Sequence, residues 1–101
     1  MHIVEYEMQG KMKIKENYKV RKIAGENLIV KQGEDHSDLT KIISLNPTAM
    51  YLWEELQGKE FTSEEAGALL EKKFGIDANT AFADARSFLR KLVNEGIIDI
   101  G

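Results

Sequence analysis

Apolar and polar residues alternate through much of the first half of the chain, and this is the period of a β-strand that is covered on one face. Residues 18–23 read YKVRKI, residues 28–31 read LIVK, and the turn-forming Gly25 lies between them. This pattern predicts a hairpin. Residues 39–45, LTKIISL, mix apolar and polar side chains in a similar way and predict a third strand ahead of the first helix.

The second half of the chain places apolar residues three or four positions apart, which is the period of an amphipathic helix. Asn46 is a favourable N-cap and Pro47 suits a first helical position, so the first helix is predicted to begin here. Thr62 and Glu65 have the spacing of a capping box and predict the start of a second helix. The third and longest helix is predicted from about residue 77 to Gly96.

Residues 1–15 precede this arrangement and contain two short alternating segments, HIVEYEM at 2–8 and KMKIK at 11–15. They form either an added strand or hairpin or an accessory extension, because chain termini are often poorly tied to a domain. We therefore divide the chain into an N-terminal extension, residues 1–15, and one main domain, residues 16–101.

Length and composition indicate one soluble globular domain. The chain has 101 residues, of which 43% are hydrophobic and 31% are charged, and these values are ordinary for a domain of this size. No apolar run approaches the ~20 residues of a membrane helix, and the N-terminus lacks the pattern of a signal peptide. A cytoplasmic protein with no membrane partner is therefore expected.

The chain carries no constellation that predicts catalysis or a cofactor. It has no cysteine, and its two histidines, His2 and His36, are far apart in the sequence. His36 lies in an acidic turn at residues 32–38 that is better explained by solvation than by metal binding. The glycines occur singly rather than in a phosphate-binding loop. We therefore expect no enzymatic activity, no metal and no cofactor.

Two binding functions remain. The second and third predicted helices, joined at residues 74–77, resemble a helix-turn-helix, so the chain could be a winged-helix DNA-binding transcriptional regulator. The net charge of −3 and the acidic residues beside Arg86 and Arg90 make nucleic acid a disfavoured partner. The alternative is peptide binding, because a partly covered edge strand at residues 39–45 would accept an extended peptide as an additional strand.

From about residue 16 to residue 100 the chain resembles the PqqD family, small proteins related to the leader-peptide recognition domains of ribosomal peptide-modification pathways. Three segments carry the resemblance: SLNPTAMYLWEEL at 44–56, GKEFTSEEAGALLEKKFGID at 58–77 and ADARSFLRKLVNEGII at 83–98. Trp53 also matches the family pattern, but it lies on the apolar face of the first predicted helix and is assigned to the core.

The resemblance implies an α+β, winged helix-turn-helix-like fold, in which a three-stranded antiparallel sheet is followed by three helices. It also implies a noncatalytic peptide chaperone that binds the leader of a ribosomally made precursor peptide by β-strand addition. Such a protein presents the leader to a modifying enzyme, here expected to be a radical S-adenosylmethionine (radical SAM) enzyme. The sequence does not identify the precursor, its product or the enzyme.

In that family the leader is added to the third strand, in a groove lined by the third helix. Carried onto this chain, the peptide-binding residues are Lys41, Ile42, Ile43, Ser44 and Leu45 of the strand and Phe82, Arg86, Leu89 and Arg90 of the helix. The first dozen or so residues extend beyond the usual start of the family. A homodimer formed through this extension is therefore a further expectation.

Overall fold

A computed structural model describes residues 10–32 and 43–100 of the chain. Within them, the elements in chain order are β1 (Met12–Ile14), β2 (Tyr18–Ile23), β3 (Glu26–Lys31), β4 (Ile43–Leu45), α1 (Pro47–Glu55), β5 (Glu60–Phe61), α2 (Ser63–Phe74), α3 (Ala78–Asn94) and β6 (Ile98–Ile100). The predicted α+β class, with antiparallel strands and three helices, is confirmed. The strand-like segment 2–8 and the site residues Lys41 and Ile42 lie outside the described residues.

The predicted hairpin supplies β2 and β3 of the first sheet, whose strand order is β2-β3-β4. Ala24 and Gly25 form its turn with positive φ angles of 53° and 84°, as a two-residue turn between twisted antiparallel strands requires. Strand β4 pairs antiparallel with β3, so that Ile43 lies opposite Ile29. Among the described residues β4 is therefore an outer strand of this sheet.

A second sheet, which the sequence does not predict, has the strand order β5-β1-β6. Its middle strand lies in the segment that was set apart as an N-terminal extension. Met12 and Ile14 of this strand are only 1% and 2% exposed, and they belong to the same hydrophobic core as the helices. Strand β1 is therefore part of the body of the domain.

The three helices begin where their capping residues predict. The Asn46 side chain accepts a hydrogen bond from the Ala49 backbone N–H at 2.9 Å. Thr62 and Glu65 form the predicted capping box, and Asp77 accepts from the Thr80 backbone N–H at 3.0 Å. Each bond satisfies a backbone donor that the first helical turn leaves without a partner.

The helices α2 and α3 pack closely against each other, and Gly67 lies at the contact. A Cβ atom added at Gly67 would be 3.0 Å from the Cα atom of Phe82, so the absence of a side chain sets the helix spacing. Leu70 of α2 and Leu89 of α3 are completely buried, and Trp53 is 4% exposed. The prediction that Trp53 is a core residue is confirmed.

Candidate functional site

Strand β4 has one edge that no described strand covers. It pairs with β3 through Ile43, Ser44 and Leu45, and within residues 10–32 and 43–100 no strand pairs with its other side. In an antiparallel ladder, alternate residues direct their N–H and C=O groups to opposite sides of the strand. Either Ser44 alone, or Ile43 and Leu45 together, therefore direct these groups away from β3.

The side chains of β4 alternate between the core and the surface. Leu45 is buried at 6% exposure and Ile43 packs against the core from a partly buried position. Ser44 is exposed, and its hydroxyl donates a hydrogen bond of 2.7 Å to Glu26 Oε1. The strand is thus fixed by its inner face and by one surface hydrogen bond, while no strand among residues 10–32 and 43–100 pairs with its outer edge.

Two adjacent cavities lie between this edge and α3, and we call them together the β4–α3 groove. The first, of about 150 Å³, is lined by Ser44, Asn46, Thr48, Ala49, Leu52, Asp84, Ser87, Phe88 and Lys91. The second, of about 350 Å³, is lined by Ile43, Ser44, Lys91, Asn94 and Glu95. Because Ser44 and Lys91 line both cavities, the groove is continuous along the strand.

The first cavity combines a buried apolar floor with an exposed polar rim. Leu52 and Phe88 are 0% and 6% exposed, whereas Asp84, Ser87 and Lys91 are exposed on the rim. The Asn46 cap fixes the start of α1 and so places Leu52 at the floor. Sites with apolar walls and a few polar groups are typical of ligand and peptide side-chain recognition.

The β4–α3 groove is lined by one stripe of α3, and the helix residues predicted to bind the peptide lie on another. Asp84, Ser87, Lys91 and Glu95 recur at three- or four-residue intervals and therefore share one side of the helix. Phe82, Arg86, Leu89 and Arg90 line neither cavity. At 100° per residue, the centre of their stripe lies about 160° around the helix axis from the centre of the stripe that lines the groove.

The structure gives most of these four side chains other contacts. Leu89 is completely buried in the core, and Phe82 packs against Gly67 of α2. The guanidinium carbon of Arg86 lies 5.5 Å from the centre of the Phe82 ring. These contacts place Phe82 on the flank of α3 that faces α2, and the assignment of Phe82, Arg86, Leu89 and Arg90 to peptide binding stays a prediction.

The charged groups of the groove are not paired with one another. Asp84 and Glu95 supply two carboxylates and Lys91 one ammonium group, and all three side chains are exposed. No ion pair joins Lys91 to either carboxylate in the part of the chain that the structure describes. These groups are accordingly available to a ligand that lies along the strand.

The described residues hold no group of three or more side chains that could bind a metal ion. Among the same residues, no helix has the length and apolar character needed to cross a lipid bilayer. The described residues do form a strand edge beside a groove. Such an arrangement can bind an extended ligand through backbone hydrogen bonds and side-chain pockets.

A model of a known protein family matches most of the chain. The family model described as "Coenzyme PQQ synthesis protein D (PqqD)" matches residues 32–98. This range includes every residue that lines the groove, together with all three helices. No curated protein and no solved structure matches the chain.

Proposed function

This chain belongs to the PqqD family of coenzyme PQQ synthesis proteins, and we propose that it is a noncatalytic protein that binds the leader of a ribosomally made precursor peptide. The leader is added to β4 as a further antiparallel strand and lies in the β4–α3 groove. The protein then presents the bound precursor to the enzyme that modifies it.

The observation that carries this proposal is the edge of β4 beside the groove, which no strand in the described part of the chain covers. Either Ser44, or Ile43 and Leu45 together, supply backbone groups on that edge, and both cavities open next to Ser44. An extended peptide needs both features, because the strand edge holds its backbone and the pockets select its side chains. The family match supports the same partner, since it covers the whole groove.

Binding energies indicate that the pockets are essential. The three residues of β4 can make about two to four backbone hydrogen bonds to a guest strand, each contributing ~1 kcal/mol net. Micromolar affinity requires about 8 kcal/mol. The first cavity, of about 150 Å³, is partly open to solvent, so one apolar side chain of the leader placed there would contribute at most the roughly 1.5–3 kcal/mol of complete burial.

The modifying chemistry belongs to the partner enzyme in this proposal. The described part of the chain carries no cluster of metal-binding side chains, and the groove supplies binding contacts rather than a reacting pair of groups. As the resemblance to related peptide-modification pathways implies, we propose a radical SAM enzyme as this partner. The leader would be held by β4 while the rest of the precursor reaches the enzyme.

The proposal predicts that filling the first cavity weakens leader binding. Ser87 lies on its rim and is exposed, so Ser87→Trp should be tolerated by the fold and should block the pocket. We expect the dissociation constant to rise roughly tenfold to a hundredfold, since one buried apolar anchor is lost. The dissociation constant is measured from the fluorescence anisotropy of a labelled leader peptide whose sequence is encoded beside the gene.

The matched control is Ala68→Trp, which places the same side chain at an exposed position of α2 that lines neither cavity. This variant should bind the leader as the wild-type protein does. Equal affinities for both variants, with both still folded, would argue that the leader binds elsewhere.

A further inference from the structure

The charges along the β4–α3 groove alternate in sign. The second cavity joins Ile43 to Lys91 and Glu95, and the first joins Asn46 to Asp84 and Lys91. Helix α3 therefore runs antiparallel to β4 along the groove. From one end to the other, a guest strand would meet the carboxylate of Asp84, the ammonium group of Lys91 and the carboxylate of Glu95.

The spacing of these groups suits alternate residues of an extended chain. At a rise of 1.5 Å per residue, Asp84 and Lys91 lie about 10 Å apart along the helix axis, and Lys91 and Glu95 about 6 Å apart. Side chains on one face of a strand recur every ~6.7 Å, so three of them span about 13 Å. Long lysine or arginine side chains can cover the remaining few ångströms at both ends.

We propose that the leader presents a basic, an acidic and a basic side chain at three alternate positions facing α3. This specificity rests on the proposed function, because it describes the guest of the same groove. Unlike charges would then meet at Asp84, Lys91 and Glu95, whereas a reordered sequence would bring like charges together. The pattern reads the same in both directions, so it holds whichever way the guest strand runs.

Two synthetic peptides of equal composition and equal net charge test this pattern. TKTETKT has the complementary order of charges, and TKTKTET has the same residues in another order. Exposed ion pairs are individually weak, so we expect the first peptide to bind about threefold to tenfold more tightly at low salt. The difference should shrink when salt is added. Affinities are measured from amide chemical shifts of the labelled protein at millimolar peptide.

A charge reversal at Lys91 tests the central contact. Lys91→Glu should weaken the binding of TKTETKT. It should strengthen the binding of TKTKTKT, in which the central acid is replaced by lysine. Lys72→Glu is the matched control, because Lys72 is exposed on α2, lies outside the groove and gives the same change in net charge. Equal effects of the two substitutions would overturn the pattern, since only net charge would then matter.

The outcomes separate this inference from the proposed function. If both peptides shift the amide signals of Ile43 to Leu45 with equal affinity, strand addition stands and the charge pattern is wrong. If only the leader peptide encoded beside the gene shifts these signals, strand addition stands and the charge pattern is wrong, whereas strand addition at β4 is itself contradicted if the leader peptide shifts none of them. A preference for TKTETKT that disappears in Lys91→Glu and persists in Lys72→Glu supports the charge pattern.

Discussion

Residues whose role depends on a few neighbours in sequence were predicted well. The caps Asn46, Thr62 and Asp77 act within one helical turn, so the chain itself specifies their partners. The groove side of α3 was not predictable in this way. The apolar face of α3 is wide, and Lys91 lies beside one of its edges while Arg86 lies beside the other. Only the packing of α2 and β4 decides which flank lines the β4–α3 groove.

Gly67 offers a test of that packing at a single residue. Alanine normally stabilises a helix by about 1 kcal/mol relative to glycine, but here the new Cβ would lie 3.0 Å from the backbone Cα of Phe82. Overpacking costs about 1–3 kcal/mol, so Gly67→Ala should lower the free energy of unfolding by up to ~2 kcal/mol. Urea denaturation measures this change.

The neighbouring exposed residue Ala68 provides the reference for helix propensity. Ala68→Gly should lower the free energy of unfolding by about 1 kcal/mol, which is the ordinary difference in helix propensity between the two residues. If Gly67→Ala instead stabilised the protein by a similar amount, α2 and α3 would not be in the close contact described. Leader affinity should stay unchanged in Gly67→Ala, because Gly67 and Phe82 lie outside the groove.

At the level of elements, helices and the hairpin were predictable, whereas the second sheet was not. Helix α2 has 12 residues and α3 has 17, so the helical spacing of apolar positions repeats several times in each sequence. Strands β1 and β5 have only 3 and 2 residues, too few for a clear alternation. Met12 also pairs with Phe61 and Ile100, which are distant in sequence. Such pairings depend on the tertiary fold.

The role of β1 predicts the effect of truncation. A chain that begins at residue 16 loses Met12 and Ile14, which are 1% and 2% exposed. Their burial contributes roughly 1.5–3 kcal/mol each, a large part of the 5–15 kcal/mol by which a typical domain is stable. Circular dichroism on heating should therefore show a strongly lowered Tm. A chain that begins at residue 10 is the control and should retain β1.

An unchanged Tm for the chain that begins at residue 16 would contradict this account of β1. It would instead support the boundary predicted from the sequence, in which residues 1–15 are an extension of an independent domain. The comparison also bears on oligomeric state, which sedimentation of the same two truncated chains would report. A homodimer formed through residues 1–15 stays a prediction.

At the level of the whole molecule, the candidate site arises from topology rather than from a catalytic motif. The β4 edge and α3 are about 40 residues apart in the sequence, and the fold places them on either side of the groove. The sequence predicted the strand, whose residues Ile43 and Ser44 line that groove. The resemblance to the PqqD family supplied the idea that the strand and a helix act together, and the family match covers both.

The most direct test of leader binding is an NMR measurement of contacts between backbones. Labelled protein is saturated with an unlabelled leader peptide encoded beside its gene, and nuclear Overhauser effects between the two chains are recorded. We expect contacts from the peptide backbone to Ile43, Ser44 and Leu45, and none to β2 at the opposite edge of the sheet. A saturated complex whose contacts lie only on other surfaces, with β4 unchanged, would contradict strand addition.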